Sequence, residues 1–186
     1  MKSLRLVGLP PIVSEQSVVL ILGSFPGAAS LAAGRYYAHP QNRFWPILQA
    51  IWSATARPLS LFSYEERSEW LLARGLGVWD VYASCERTGS LDSAIRKPTL
   101  NDFASLAAQC PRLAAVAHNG AQSFRHADEV AAALEPADTK PPRSIAFHRL
   151  PSTSPANASQ AFEIKLAAWR AVFAAHGLVE SPEDTP

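Results

Sequence analysis

The first strong pattern along the chain is an uninterrupted apolar run, Val18-Val19-Leu20-Ile21-Leu22, rich in β-branched residues and closed by Gly23. A run without a polar face predicts a strand buried on both sides, the habit of parallel sheets. Val78-Trp79-Asp80-Val81, Leu113–Ala117 and Ile145–Leu150 predict three more. Between them the pattern becomes helical. Phe44, Ile47, Leu48 and Ile51 share one face and predict a helix over Phe44–Ser53, with Pro46 tolerated in the first turn. Glu65–Arg74 predicts a second, acids first and base last, as the helix dipole favours. Asn101–Ala108 reads as a short helix capped by Asn101, and Ala121–Leu134 as a longer one. The last helix spans about Ser159–His176, with Phe162, Leu166, Trp169 and Phe173 as its buried stripe and Gly177 as its C-terminal cap. Pro136–Pro142 reads as a polar loop.

Strands alternating with helices predict an α/β fold: a three-layer α/β/α sandwich around a central, mostly parallel four-stranded sheet. Ligands in such folds bind at the carboxyl ends of the strands. The segments leaving the four predicted strands are Gly23–Gly27, the stretch after Asp80, His118–Gly120 and Pro151–Asn157, and they should meet on one rim. The chain has 186 residues, and at roughly 150 residues per domain it fits one domain. That domain is expected over residues 1–179, followed by an acidic, frayed tail at 180–186.

Composition narrows the function. No apolar run approaches the roughly 18–20 residues of a membrane helix, and Met1–Arg5 leads into Pro10-Pro11 without the core of a secretory signal. Cys85 and Cys110 form no CxxC pair. The chain reads as a cytoplasmic protein with reduced thiols. The five histidines are scattered without metal spacing, so no metal or cofactor is expected. There is no phosphate loop, no G-x-G-x-x-G and no serine in the elbow position of Gly23–Gly27, where Phe25 stands instead. What the rim does hold is aromatic: Phe25, Tyr36, Tyr37, Phe44 and Trp45, beside amides and hydroxyls. Flat rings next to such groups suit a flat, polar-edged ligand such as a nucleobase.

At this point the chain resembles the uracil-DNA glycosylase superfamily, and most closely its hypoxanthine-DNA (deoxyinosine) glycosylase branch. The likeness rests on Leu22-Gly23-Ser24-Phe25-Pro26-Gly27, on Tyr36-Tyr37-Ala38-His39-Pro40-Gln41-Asn42-Arg43-Phe44-Trp45-Pro46, and on Leu150-Pro151-Ser152-Thr153-Ser154-Pro155-Ala156-Asn157. Val78–Val81 and His118-Asn119-Gly120 stand where the family places its second and third strand ends. The likeness runs from about Val18 to His176.

The resemblance implies hydrolysis of an N-glycosidic bond after base flipping, in base excision repair, with hypoxanthine as the first substrate. Related enzymes often carry Asp or Asn in the first turn to orient the attacking water. Phe25 cannot do this, which is typical of the hypoxanthine branch, where the role passes to the Asn of the H-P-x-N segment, here Asn42. Asn42 is also a natural cap for the Phe44 helix. Phe25 would stack on the base within a pocket of Gly23, Ser24, Pro26, Gly27, Tyr37, Asp80 and Asn119. Asp80 would read a ring N–H, and Asn119 more naturally shapes its strand end. His39, Arg43, Pro151, Ser152, Thr153, Ser154 and Asn157 would meet the DNA backbone. The implied partner is DNA with a deaminated base, bound by a monomer with no obligate protein partner and no membrane. A uracil, xanthine or mismatch-specific enzyme, a non-catalytic damage-binding module and a small-molecule hydrolase are the alternatives.

Charge at first argues against DNA, because 17 basic and 16 acidic residues leave a net +1. Its distribution reverses this. Residues 1–179 carry 17 basic and 13 acidic residues. The acid-free stretch from Glu15 to Glu65 holds Arg35, Arg43 and Arg57, and that from Asp138 to Glu163 holds Lys140, Arg143 and Arg149. These two stretches contain the two motifs, as a rim that meets phosphates requires.

Overall fold

A computed structural model of the chain describes residues 5–55, 57–135 and 144–180. The predicted loop at Pro136–Pro142 and the tail beyond Glu180 lie outside them, as do Lys140 and Arg143. The elements in chain order are β1 (Arg5–Val7), β2 (Val19–Gly23), α1 (Ala28–Ala33), α2 (Phe44–Ile51), α3 (Tyr64–Leu72), β3 (Leu76–Asp80), β4 (Tyr82–Glu86), β5 (Arg96–Leu100), α4 (Phe103–Gln109), β6 (Ala115–Asn119), α5 (Ala121–Phe124), α6 (Ala127–Leu134), β7 (Ala146–Leu150) and α7 (Phe162–Ala175).

The four predicted strands form one sheet in the order β3-β2-β6-β7, every pair parallel. Helices flank it, giving the three-layer α/β/α arrangement. The apolar runs earn their central place: every residue of β2 and β3 is buried, as are the first four of β6. The chain enters at β2, adds β3 on one side and then crosses to add β6 on the other. The chain therefore reverses direction between β2 and β6, the topological position at which folds of this kind bind ligands, beyond the carboxyl ends of the strands.

Three strands escape the hydrophobic pattern. β1, β4 and β5 make a small antiparallel sheet in the order β1-β4-β5. β5 (Arg-Lys-Pro-Thr-Leu) is exposed at every position and holds Pro98, so it has neither alternation nor a buried face. Only Val81 separates the end of β3 from the start of β4, which turns the unassigned stretch after Asp80 into a strand.

Several expected boundaries shift for local reasons. The cap of α4 is Asp102, whose carboxylate accepts the Ser105 N–H at 3.0 Å. Asn101 instead donates to the Asp80 carbonyl at 2.8 Å and pins the end of β3. The helix expected over Ala121–Leu134 breaks at Arg125-His126, and His126 Nε2 lies 2.8 Å from the Tyr82 hydroxyl. α3 starts at Tyr64 because Ser63 and Glu66 form a reciprocal capping box.

α7 departs most from its expected face. Trp169 and Phe173 are buried as expected, and Gly177 closes the helix at φ +71° with Leu178 N–H bonded to the Phe173 carbonyl at 2.9 Å. Phe162 and Leu166, however, are only partly buried, and Lys165 is 1% exposed. Its Nζ donates to the carbonyls of Ser152 (2.8 Å) and Asn157 (2.7 Å), while Trp169 Nε1 donates to Pro151 at 3.1 Å. The Pro151–Asn157 loop is thus held from beneath by α7. Lys165→Met should lower unfolding free energy in urea by about 2–3 kcal/mol, since two bonds from a charged donor are lost, and should make the loop more sensitive to protease. Unchanged stability and cleavage would show that the loop holds itself.

Candidate active site

The rim is assembled by the strand ends. β2 runs into Gly23–Gly27, where the next residues are bonded across to the neighbouring strand connection: Val81 N–H to the Gly23 carbonyl (2.8 Å) and Tyr82 N–H to that of Ser24 (3.0 Å). Gly23 is required by close approach. A Cβ there would lie 2.3 Å from Asp80 Oδ1 and 3.8 Å from the Tyr37 hydroxyl. The carboxyl of Asp80 therefore fills the space a side chain at position 23 would take.

Asp80 is 4% exposed, and its Oδ2 has no partner among the described residues. Burial pushes its pKa up to about 8, the nearby Asp92 adds to the rise, and Arg87 opposes it. At neutral pH the carboxyl is mostly protonated, with one donor and one acceptor to offer. His118, fully buried at the end of β6, shifts the other way, down to about 4, because its charged form is desolvated. It stays neutral and is held by Ser123 Oγ at 2.8 Å.

Asn119 ties the rim together. Its Oδ1 accepts the Thr153 N–H at 2.9 Å, and its Nδ2 donates to Thr153 Oγ1 at 2.9 Å and to the Tyr37 hydroxyl at 3.3 Å. Arg43 N–H donates to the Thr153 carbonyl at 2.9 Å. The two motifs, more than a hundred residues apart in sequence, thereby become neighbours. Tyr37 has φ +53°, the left-handed region that side chains disfavour. Its ring stacks on Phe44 at 3.8 Å, and burial followed by the nearby Asp80 raises its hydroxyl pKa.

Asn42 is half-buried at the entry to α2, where its Oδ1 accepts the Phe44 N–H at 2.9 Å. The cap position of α2 itself falls on Arg43, one residue after the Asn42 expected there. A carbonyl oxygen keeps a second lone pair for another donor, so this bond leaves the amide chemically available. His39 and Arg43 are exposed beside it. Ser152, Ser154 and Asn157 are half-buried, and their side chains largely serve the loop: Ser152 Oγ accepts from Ser154 N–H, Ser154 Oγ from Ala156 N–H, and Asn157 Nδ2 donates to the Ser152 carbonyl. Thr153 departs from the expected phosphate contact. It has no exposed surface, and its hydroxyl is engaged by Asn119.

Phe25 is 5% exposed, so the ring expected to stack on a base has little open surface. Its neighbour is Arg87, which no sequence signal singles out. Arg87 Cζ lies 5.0 Å from the Phe25 ring centroid, and Nη2 donates to the Pro26 carbonyl. The loop after β4 also grips the turn through Ser90 Oγ, which accepts the Ala28 N–H at 2.9 Å, and Asp92, which accepts from Ser24 Oγ at 2.7 Å. No hydrogen bond among the described residues uses the N–H of Phe25 or Gly27.

Two cavities flank the Tyr36–Phe44 segment. One, about 260 Å³, lies between the motifs against Arg43, Ser154 and Lys165. The other, about 270 Å³, is walled by Tyr36, Tyr37, Trp45 and Tyr64 with Arg35 and Arg67. Neither is lined by Asp80. Among the described residues no group of three or more His, Cys, Asp or Glu could hold a metal ion, and no helix is long and apolar enough to cross a membrane.

The raised pKa of Asp80 has a consequence for stability. Between about pH 4 and pH 8 the unfolded chain ionises this carboxyl while the folded chain keeps it protonated, so stability falls as pH rises through that window. Asp80→Asn removes the titration. Relative to the unsubstituted protein it should gain stability between about pH 5 and pH 8.5, by on the order of a few kcal/mol. Parallel melting curves across that range would contradict the assignment.

The chain is similar to known proteins in sequence and in fold. The model of the uracil DNA glycosylase superfamily matches residues 10–174. The chain is 37% identical over 116 residues to a hypoxanthine DNA glycosylase of Methanosarcina barkeri, covering 62% of this chain and 72% of the relative. It is 34% identical over 113 residues to one of Methanosarcina acetivorans, covering 61% and 70%. A G/U mismatch-specific uracil DNA glycosylase of Schizosaccharomyces pombe is 32% identical over 101 residues, which is 54% of this chain and 29% of that protein. The solution NMR structure of a candidate uracil DNA glycosylase from Methanosarcina acetivorans superposes with a TM-score of 0.75 at 28% identity, covering 91% of this chain and 97% of that one. With the family model spanning nearly all of the sheet and both motif loops, the chain belongs to the uracil DNA glycosylase superfamily.

Proposed function

We propose that this DNA glycosylase excises hypoxanthine from DNA by hydrolysis, with Asn42 holding the attacking water. The observation that carries the reading is the rim itself: Phe25 stands in the water-orienting turn, while the Asn42 amide lies on the segment joined through Arg43 to the Thr153 loop. The names of the two Methanosarcina relatives support the same substrate.

The chemistry asks little of the protein beyond placement. As the glycosidic bond lengthens, the sugar gains oxocarbenium character and the base gains negative charge. The unspent N–H groups of Phe25 and Gly27 suit the O6 oxygen of hypoxanthine, where adenine would present an amino group. Asp80 suits the adjacent N1–H as an acceptor. Asn42 is a poor base, yet an amide oxygen can orient a water whose attack is driven by the developing cation. On the DNA side the reading gives His39, Arg43, Pro151, Ser152, Ser154 and Asn157 to the backbone flanking the extruded nucleotide. Thr153 acts through its bonds to Asn119.

Duplex oligonucleotides with a single deoxyinosine should be cleaved after alkali treatment, and adenine controls should not. Absence of base release from hypoxanthine, uracil and xanthine substrates alike would end the enzyme reading and favour a damage-binding module. Asn42→Ala should slow release by about 10²–10³-fold while lesion binding in a gel shift persists. Full activity in this variant would remove Asn42 from the mechanism. The lysine that α7 brings to the rim, Lys165, is buried and bonded to two carbonyls. The enzyme should therefore leave an intact abasic site, and strand nicking before alkali would contradict hydrolysis by water alone.

A further inference from the structure

We propose that Arg87 is a positioning residue for base release, acting through the Pro26–Gly27 peptide to stabilise the departing base anion. The inference rests on the hypoxanthine reading and assigns a role to a residue outside both motifs. Arg87 is 7% exposed, and its Nε and Nη1 have no hydrogen-bond partner among the described residues. Its one bond goes to the Pro26 carbonyl. Neither nearby carboxyl forms a salt bridge with it. Asp80 is kept protonated by burial, and Asp92 accepts from Ser24 Oγ.

A buried guanidinium without a bonded carboxylate is a poor structural element, because its desolvation is offset by one carbonyl bond, the Phe25 ring and carboxyls that do not bond to it. It is a good electrostatic one. Bonding to the Pro26 carbonyl polarises the peptide that carries the Gly27 N–H, and chains of hydrogen bonds strengthen one another in a low-dielectric site. That N–H is unspent and belongs to the turn proposed to meet the base. The guanidinium also lies over the Phe25 ring, within the wall of the same turn. Fixed positive charge here acts more on the transition state than on the neutral bound base. In the step itself the C1′–N9 bond breaks and its electron pair leaves with the base. The water oxygen bonds to C1′, and the proton that water loses neutralises the released base.

The test compares single-turnover release of hypoxanthine with that of 8-azahypoxanthine. The added ring nitrogen makes the leaving anion more stable and leaves the O6/N1 edge unchanged. Arg87→Met should slow hypoxanthine release by about 10²-fold, slow 8-azahypoxanthine release much less, and leave the Kd for lesion DNA within a few-fold. Arg87→Lys, which keeps the charge but not the planar fork, should fall between, and it carries the test if the methionine variant does not fold. Equal slowing of both bases, or a weakened Kd with an unchanged rate, would overturn the proposal while leaving the glycosylase reading intact. A wild-type protein that releases neither base would overturn both.

Discussion

The hydrogen-bonded knot at Asn119 is the contact on which the rest of the rim depends. One side chain closes a two-bond ring with the backbone and hydroxyl of Thr153 and also reaches the Tyr37 hydroxyl. The parallel sheet can bring the ends of β2, β6 and β7 to one rim, but it cannot set the path of the loops that leave β2 and β7. Asn119 does so, together with Arg43 N–H on the Thr153 carbonyl. Beneath it, Lys165 and Trp169 of α7 fix the same loop through three backbone carbonyls. The strained backbone at Tyr37 is what a tightly determined loop can sustain.

Removal of water from this rim is the second constraint, and it explains the protonation states. Asp80 and His118 sit near the carboxyl ends of β3 and β6, on either side of β2, and burial favours the neutral form of both at pH 7, one by gaining a proton and the other by losing it. Arg87 lies in the same neighbourhood without a bonded carboxylate. The rim thus sets neutral groups at two strand ends and the Arg87 guanidinium beside the turn. A reaction that creates an anionic leaving group from a neutral base is the chemistry such a balance favours.

The central sheet was legible because parallel strands must be apolar on both faces, and β2 says so without ambiguity. Asp80 stood out as a charge ending such a run, and the two motif loops as Pro- and Ser-rich breaks after predicted strands. The antiparallel sheet was not legible, because β5 has no buried face to imprint a period on its sequence. The buried cations were hidden for a different reason. Lys165 and Arg87 occupy positions that look solvated in one dimension, and only backbone carbonyls brought from distant loops make their burial tolerable. Thr153 shows the reverse: a hydroxyl in a Ser/Thr loop looked available for phosphate, and tertiary structure uses it internally. The cap expected at Asn101 falls to Asp102, because the Asn101 amide is taken up by the end of β3.

The central claim is that the Gly23–Gly27 turn and Asp80 receive an extruded hypoxanthine while the Asn119 knot holds both motif loops against the DNA. A crystal structure of the protein with a duplex containing 2′-fluoro-2′-deoxyinosine, whose glycosidic bond resists cleavage, tests it most directly. The account predicts the base outside the helix, its O6 at about 3 Å from the N–H groups of the turn, its N1 facing Asp80, and the Asn119–Thr153 bonds preserved. An inosine that stays stacked in the duplex, or a flipped base lodged in the cavity of Trp45 and Tyr64, would contradict it.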